Sequence, residues 1–297
     1  MDQMRHLIQG AYDLHIHSGP DLMPRKMDDA EMAERIVASG MAGFAMKSHY
    51  FCTGERAKIV SKQFPGCHGI GSLVLNQSVG GINPTAVEIA ARSETKMIWF
   101  PTLDSVHGRE DIYSGKPIEK LPYWARIILQ MEAEGIEITP IRILDDNGKL
   151  IDPVYDVLNA IAKHNLTLVT GNISHEECFA LVKAAHERKV EKIIIALVDH
   201  PSVNYSLEEQ KELLQYGAYM EHCYNTWSSG KSDWEETLRQ IKTIGPDRVV
   251  LTTDLGQKDG IYPDEGMLAF AVKLAEAGVS EADIRKMMVT NPSAFVK

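Results

Sequence analysis

Two histidines one residue apart, His15 and His17 in the stretch AYDLHIHSGPD, are the first residues in this chain able to do chemistry together. In an extended strand, residues i and i+2 project to the same side, so the two imidazoles would share one face and could bind one metal ion. A His-x-His pair also occurs on solvated strands, so its partners decide between a metal clamp and a surface pair. Candidate partners recur along the chain: Lys47 and His49 in GFAMKSHY, Asn172 in LTLVTGN, His200 in IIIALVDHP, Glu221 and His222 in AYMEHCY, and Asp254 in VVLTTDLG. Each stands at or just past the end of a short apolar run. Ligand-type residues gathered at such positions point to a metal site built from several strand ends.

The elements that must bring these residues together are strands whose carboxyl ends converge. Eight β-prone runs alternate with amphipathic stretches of helical length: AYDLHIH, GFAMKSH, HGIGSLVLN, MIWFPTL, LTLVTGN, KIIIALVDH, AYMEHCYN and VVLTTDL. Helix starts carry recognisable chemistry, with Asn83 before Pro84, and Ser174/Glu177 and Ser206/Glu209 spaced as capping boxes. Strand–helix repeats without a Gly-x-Gly-x-x-Gly after the first strand predict an α/β fold of the (β/α)8 TIM-barrel type rather than a Rossmann sheet. Between the fourth and fifth strands come a predicted helix from Pro117 to Glu134 and then IEITPIRILDDNGKLI, whose Asn147-Gly148 pair signals a hairpin. The alternation resumes after it, so this segment reads as an insertion in a single barrel domain spanning 1–297.

Composition excludes several classes. A hydrophobic share of 44% with 24% charged residues fits a soluble globular chain. A formal charge of -10 with no Lys/Arg run argues against a nucleic-acid partner. No apolar run reaches the ~18 residues of a membrane span, and MDQMRHLIQGAYDL lacks the apolar core of a signal peptide. The expectation is a cytoplasmic protein with a small-molecule substrate and no membrane partner; homo-oligomerisation stays open. Cys52, Cys67, Cys178 and Cys223 are scattered without a C-x-x-C pair and read as reduced thiols.

On these residues the chain resembles the amidohydrolase superfamily of metal-dependent hydrolases, particularly its phosphotriesterase-like branch. The matching stretches are DLHIH, VTGN, VDHP, TTDLG and the closing VTNPSAF, in strand order along the whole chain. The resemblance implies that His15, His17 and Asp254 hold a first divalent ion and that His200 belongs to a second site. It also implies that Asp254 takes the proton of a metal-bound water as it attacks. General chemistry agrees: a divalent ion lowers bound-water pKa toward about 7, and a neighbouring carboxylate can pass the proton to the leaving group. Zinc is the first expectation, with manganese, iron, nickel or cobalt as alternatives, in one or two ions.

Two departures from the family pattern bear on the second ion. Binuclear members carry a histidine at the end of strand five, where this chain has Asn172. His175 is an alternative ligand, although Ser174 would cap a helix there and leave His175 in an exposed first turn. The branch's bridging carboxylated lysine lies on strand four, yet MIWFPTLDS ends without one. The strand-end lysine here is Lys47, which shares strand parity with His49. Anion binding by a charged Lys47 is the first reading and carbamate formation the second; a one-residue register shift would turn it to the surface. Glu221 and His222 point to opposite faces, so at most one lines the barrel and can support a ligand. His107 lies in DSVHGREDIYSGKP, expected as a polar loop able to close over the site.

The leading function is hydrolysis of a small ester, lactone, amide or phosphoester by activated water. Asp254 would be the general base, with His200 and Lys47 in the catalytic set. Arg25, Lys26 and Lys47 favour an anionic substrate. Two alternatives use the same barrel: metal-dependent decarboxylation or isomerisation, in which the ion polarises a carbonyl, and a metal- or ligand-binding barrel without turnover.

Overall fold

Eight parallel strands enclose the centre of the computed structural model, which describes residues 2–113 and 117–297. They are β1 (Tyr12–Ile16), β2 (Gly43–Met46), β3 (His68–Val74), β4 (Met97–Trp99), β5 (Thr167–Val169), β6 (Ile193–Ile195), β7 (Tyr219–Cys223) and β8 (Val249–Thr252). Each pairs with the next in parallel. The ring is closed between β8 and β1 by a parallel bridge of Ile16 with Leu255. His17 N–H donates to the Leu255 carbonyl at 2.8 Å, and Asp254 N–H to the His15 carbonyl at 2.9 Å. The expected (β/α)8 barrel is therefore present, and its closing seam runs through the histidine pair and the aspartate.

The alternation of buried strands and one-sided helices explains the layers. All of Ile193, Ile194 and Ile195 are buried, as a strand covered on both faces requires. The helix Asp152–Lys163 buries Val154, Val157, Leu158 and Ile161, the i, i+3, i+4, i+7 stripe that packs against the sheet. The Asn83 side chain accepts from Ala86 N–H, and both predicted capping boxes form. Among the described residues no helix is long and apolar enough to cross a membrane.

The inserted segment forms the helix Tyr123–Ala133, within the predicted span. The Asn147-Gly148 hairpin is reduced to one antiparallel bridge, Leu144 with Leu150, around a turn in which Gly148 has φ 72°. Two expectations need correction. The stretch around His107 folds as a helix, Val106–Tyr113, rather than a loop; residues 114–116 of that stretch lie outside the described residues. The sixth strand ends at Ile195, and the chain then turns, with Leu197 at φ 55°, so His200 follows a turn instead of ending a strand.

Candidate metal centre

β1 delivers Asp13, His15 and, just beyond its end, His17 to the barrel interior at alternate positions, and all three are buried. Asp254 comes from the other side of the seam. It has φ 51°, a left-handed conformation that costs a residue with a Cβ roughly 1 kcal/mol. The surroundings enforce that conformation: its N–H is tied to His15, and its carbonyl accepts from the Gln257 amide at 2.8 Å. Gly256 has φ 129°, and a Cβ there would run into the His17 carbonyl, so glycine is what lets this loop press on β1.

The result is a convergence of three Lewis bases. Asp254 Oδ1 lies 3.2 Å from His15 Nε2 and 3.2 Å from His17 Nε2. The ligand atoms of His15, His17 and Asp254 all lie within 4.8 Å of one another. The opposite ring nitrogens are committed: His15 Nδ1 meets Glu221 Oε1 at 3.1 Å, and His17 Nδ1 meets the Lys47 carbonyl at 3.0 Å. With Nδ1–H donating in both rings, a deprotonated Nε2 in each would turn its lone pair to the Asp254 side, where a cation could accept both. That donor set fits a divalent cation, and the outer partners fix the tautomers it requires.

Charge states follow from burial and neighbours. Burial, helped by Arg25, drives the His17 imidazole down to about 3, against the pull of Asp254, so its ring is neutral. Burial and Lys47 push His15 down, but Glu221 and Asp254 outweigh them and its pKa is raised. Burial alone would raise the Asp254 carboxyl; His15 and His17 hold it well below the usual range instead. Glu221 is likewise held low against its burial by His15, Lys47 and the Thr252 hydroxyl.

Two further side chains complete the inner wall. Lys47 is 3% exposed, with Nζ 2.9 Å from His15 Nε2 and 4.0 Å from the centre of the Trp99 ring. Burial, the largest influence, lowers its pKa. His49 stacks on His17 with ring centres 5.0 Å apart and bonds Thr102 Oγ1 at 2.8 Å. The shared parity of Lys47 and His49 thus brings both to the site. Arg25 is matched by Asp21, with Nε donating to Oδ2 at 2.7 Å, and Lys26 lies over the Tyr262 ring at 4.6 Å.

The remaining sequence candidates make bonds of their own. Both ring nitrogens of His175 are engaged, Nδ1 with Glu209 at 2.6 Å and Nε2 with the Val203 carbonyl, and its ring stacks on Tyr205. His200 Nδ1 bonds Ser202 Oγ at 2.7 Å, and Ser202 in turn offers its carbonyl to His107 Nε2 at 2.6 Å. Neither histidine belongs to a cluster of potential ligands among the described residues. The backbone of Asn172 is fixed by Pro101 and by Ser105 Oγ. Glu221 lines the barrel, whereas His222 faces outward with Nδ1 3.3 Å from Asp199 Oδ2.

Asp13 and Trp99 were not singled out from sequence. The Asp13 carboxylate accepts from the N–H groups of His15 and Thr253 and from the Thr253 hydroxyl, stitching β1 to the strand that carries Asp254. Its signal was present: it stands two residues before His15 in the same alternation. Cys223, 3.7 Å from His15 Nδ1, joins His15 and Glu221 in a second potential ligand group. There Glu221 Oε1 already receives the His15 proton.

The model of a family described as "Family of unknown function (DUF6282)" matches residues 10–221. No curated protein sequence matches the chain. Among solved structures, an amidohydrolase from Pseudomonas aeruginosa aligns with TM-score 0.61 at 10% identity, covering 99% of this chain and 97% of that one. The probable dipeptidase PvdM from the same organism gives 0.62 at 13%, covering 99% and 96%. An organophosphorus hydrolase from Deinococcus radiodurans gives 0.57 at 14%, covering 98% and 94%. At these identities the likeness is one of fold, and it extends over nearly the whole of each chain.

Proposed function

Because this chain belongs to DUF6282, a family of unknown function, its reading has to come from the site, and we propose that it is a metal-dependent hydrolase of a small ester, lactone, amide or phosphoester. The observation that carries this is the meeting of His15 Nε2, His17 Nε2 and Asp254 Oδ1 at one point on the carboxyl-end face of the barrel. The fold it shares with an amidohydrolase and an organophosphorus hydrolase supports the same class.

His15, His17 and Asp254 would hold one divalent cation, which supplies Lewis acidity and lowers the pKa of water toward about 7. Two imidazoles and a carboxylate suit zinc first and also manganese, iron, nickel or cobalt. Three protein ligands, not four, leave a position for water or substrate. Glu221 and the Lys47 carbonyl orient the two rings. Asp254 is the base: its carboxylate stays ionised, and its side chain, 15% exposed, is more open than His15 or His17. It accepts the proton of the attacking water and returns it to the leaving group. Asn225 Nδ2, 3.3 Å from Asp254 Oδ2, holds the second oxygen.

Lys47 bears on both occupancy and specificity. Two unit charges 4 Å apart repel by about 4 kcal/mol at an effective dielectric constant near 20, so a cation beside His15 Nε2 favours an uncharged Lys47. Its lowered pKa goes in that direction. With Lys47 almost fully buried and Arg25 paired to Asp21, neither charge is left for an anionic substrate, and the proposal turns to neutral ones.

The test is metal-restored turnover. Protein stripped by chelator and reloaded with zinc or manganese should hydrolyse members of a panel of aryl esters, lactones and phosphotriesters. Asp254→Asn should abolish that turnover and leave the fold intact. A fully loaded protein inactive on the whole panel, or a variant that retains turnover, would overturn the proposal.

A further inference from the structure

A cavity of about 500 Å³ opens over the carboxyl ends of β1 to β4, beside the candidate metal centre. Its inner wall is His49, whose ring stacks on His17, so one imidazole separates the cavity from a proposed ligand. The outer wall comes from the inserted helix Tyr123–Ala133 and the stretch after it, through Trp124, Ile127, Ile128, Met131, Ile136 and Ile138. Several polar groups on the wall are already satisfied. Asn76 bonds Thr102 and the His49 carbonyl, Asp104 bonds Gln77 N–H and Arg109, and Gln77 Nε2 bonds the Thr139 carbonyl. The Tyr50 hydroxyl is buried without a hydrogen-bond partner among the described residues.

We infer that this cavity is a specificity pocket for an uncharged, hydrophobic group, of aryl or medium-chain alkyl size, carried by the substrate. The inference rests on the hydrolase reading and adds what that reading lacks, the substrate's chemical character. Its volume is that of a small-molecule site, and its lining is apolar with few free polar groups, which a hydrocarbon satisfies and an ion does not. Asp104 and Glu137 on the wall disfavour an anionic group. The insertion between β4 and β5 thereby acquires a purpose, since it supplies most of the apolar wall.

The experiment has a binding arm and a turnover arm. Trp124 lies on the wall, and 4-phenylbutan-2-one, a neutral ketone that cannot be hydrolysed, should change tryptophan emission saturably. Its anionic counterpart 4-phenylbutyrate should bind at least tenfold more weakly. Ile127→Glu or Met131→Glu, at half-buried wall positions, should weaken ketone binding at least tenfold, while Ile89→Glu on the helix Pro84–Arg92 should not. In the turnover arm, kcat/KM for p-nitrophenyl acetate, butyrate and octanoate should rise about three- to fourfold per added methylene, and Ile127→Glu should flatten the series. Absent ketone binding, tighter carboxylate binding, or a chain-length series unchanged in both wall variants would overturn the pocket, whatever the hydrolase assay shows. Saturable binding without turnover of any ester, lactone or phosphotriester of the panel would uphold the pocket and remove the hydrolase reading.

Discussion

Replacing Glu221 by Gln changes one atom and tests whether the carboxylate sets the His15 tautomer. Glu221 Oε1 receives the His15 Nδ1 proton at 3.1 Å and the Thr252 hydroxyl at 3.0 Å, while Oε2 receives Leu197 N–H at 3.1 Å. Glutamine has a single oxygen. Turned toward His15, its amide NH2 opposes the Leu197 N–H; turned toward Leu197, it opposes His15 Nδ1–H and favours the tautomer protonated at Nε2. Either arrangement forfeits a charge-assisted hydrogen bond worth about 1.5–3 kcal/mol in a buried site. The loss should appear as a 10- to 100-fold rise in the zinc Kd, the usual effect of removing a ligand's outer partner. Competition against a chromogenic chelator at fixed pH measures it, with circular dichroism to check the fold. A Kd within twofold of the parent protein would mean that something other than Glu221 sets the tautomer.

Other perturbations probe separate parts of the account. Gly256→Ala should destabilise the protein by more than about 1 kcal/mol in urea denaturation and weaken zinc binding, since its Cβ meets the His17 carbonyl; unchanged stability would mean the loop need not press on β1. His175→Ala should leave metal content unaltered, because both ring nitrogens are engaged elsewhere; metal analysis showing a lost ion would reverse that assignment. In the metal-free protein, His17 stays neutral down to about 3 against an ordinary 6.5, so the stability tied to it is present above pH 6.5 and is lost as pH falls toward 3, by up to about 1.4 kcal/mol per unit. Asp13, pushed up to about 7 by burial, acts with the opposite sign: its contribution is present below 3.8 and lost as pH rises through 7. The clean readout is therefore a comparison with His17→Gln, which should gain roughly 2 kcal/mol relative to the parent between pH 7.5 and pH 5 in chelator. A pH-independent difference would show that His17 titrates normally.

The barrel could be read from sequence because its signal is distributed. Each of the eight strands lies within its apolar run, and the caps at Asn83, Ser174 and Ser206 rest on local chemistry that tertiary packing does not override. The pairing of His15 with His17 followed from strand parity, and Asp254 joined them because the closing seam sets β8 beside β1. His200 shows where periodicity stops: IIIALVDH is apolar to its end, yet hydrogen bonding of β6 ceases at Ile195 and a left-handed Leu197 redirects the chain. His107 failed differently, since a polar composition does not distinguish a loop from a short helix such as Val106–Tyr113. Asp13 was overlooked because a buried carboxylate bonding backbone N–H groups has no signature beyond its place in the alternation. The apolar cavity also escaped notice, for it forms where the inserted helix Tyr123–Ala133 meets loops after β1, β2, β3 and β4 whose shapes no pattern encodes.

The central claim is that His15, His17 and Asp254 hold a catalytic divalent ion. Anomalous scattering recorded above and below the zinc edge, from crystals of zinc-loaded protein, tests it most directly. One strong peak is expected within bonding distance of His15 Nε2, His17 Nε2 and an Asp254 oxygen, with a position left for water. No peak there, or a peak bound instead through His15 Nδ1, Glu221 and Cys223, would contradict it.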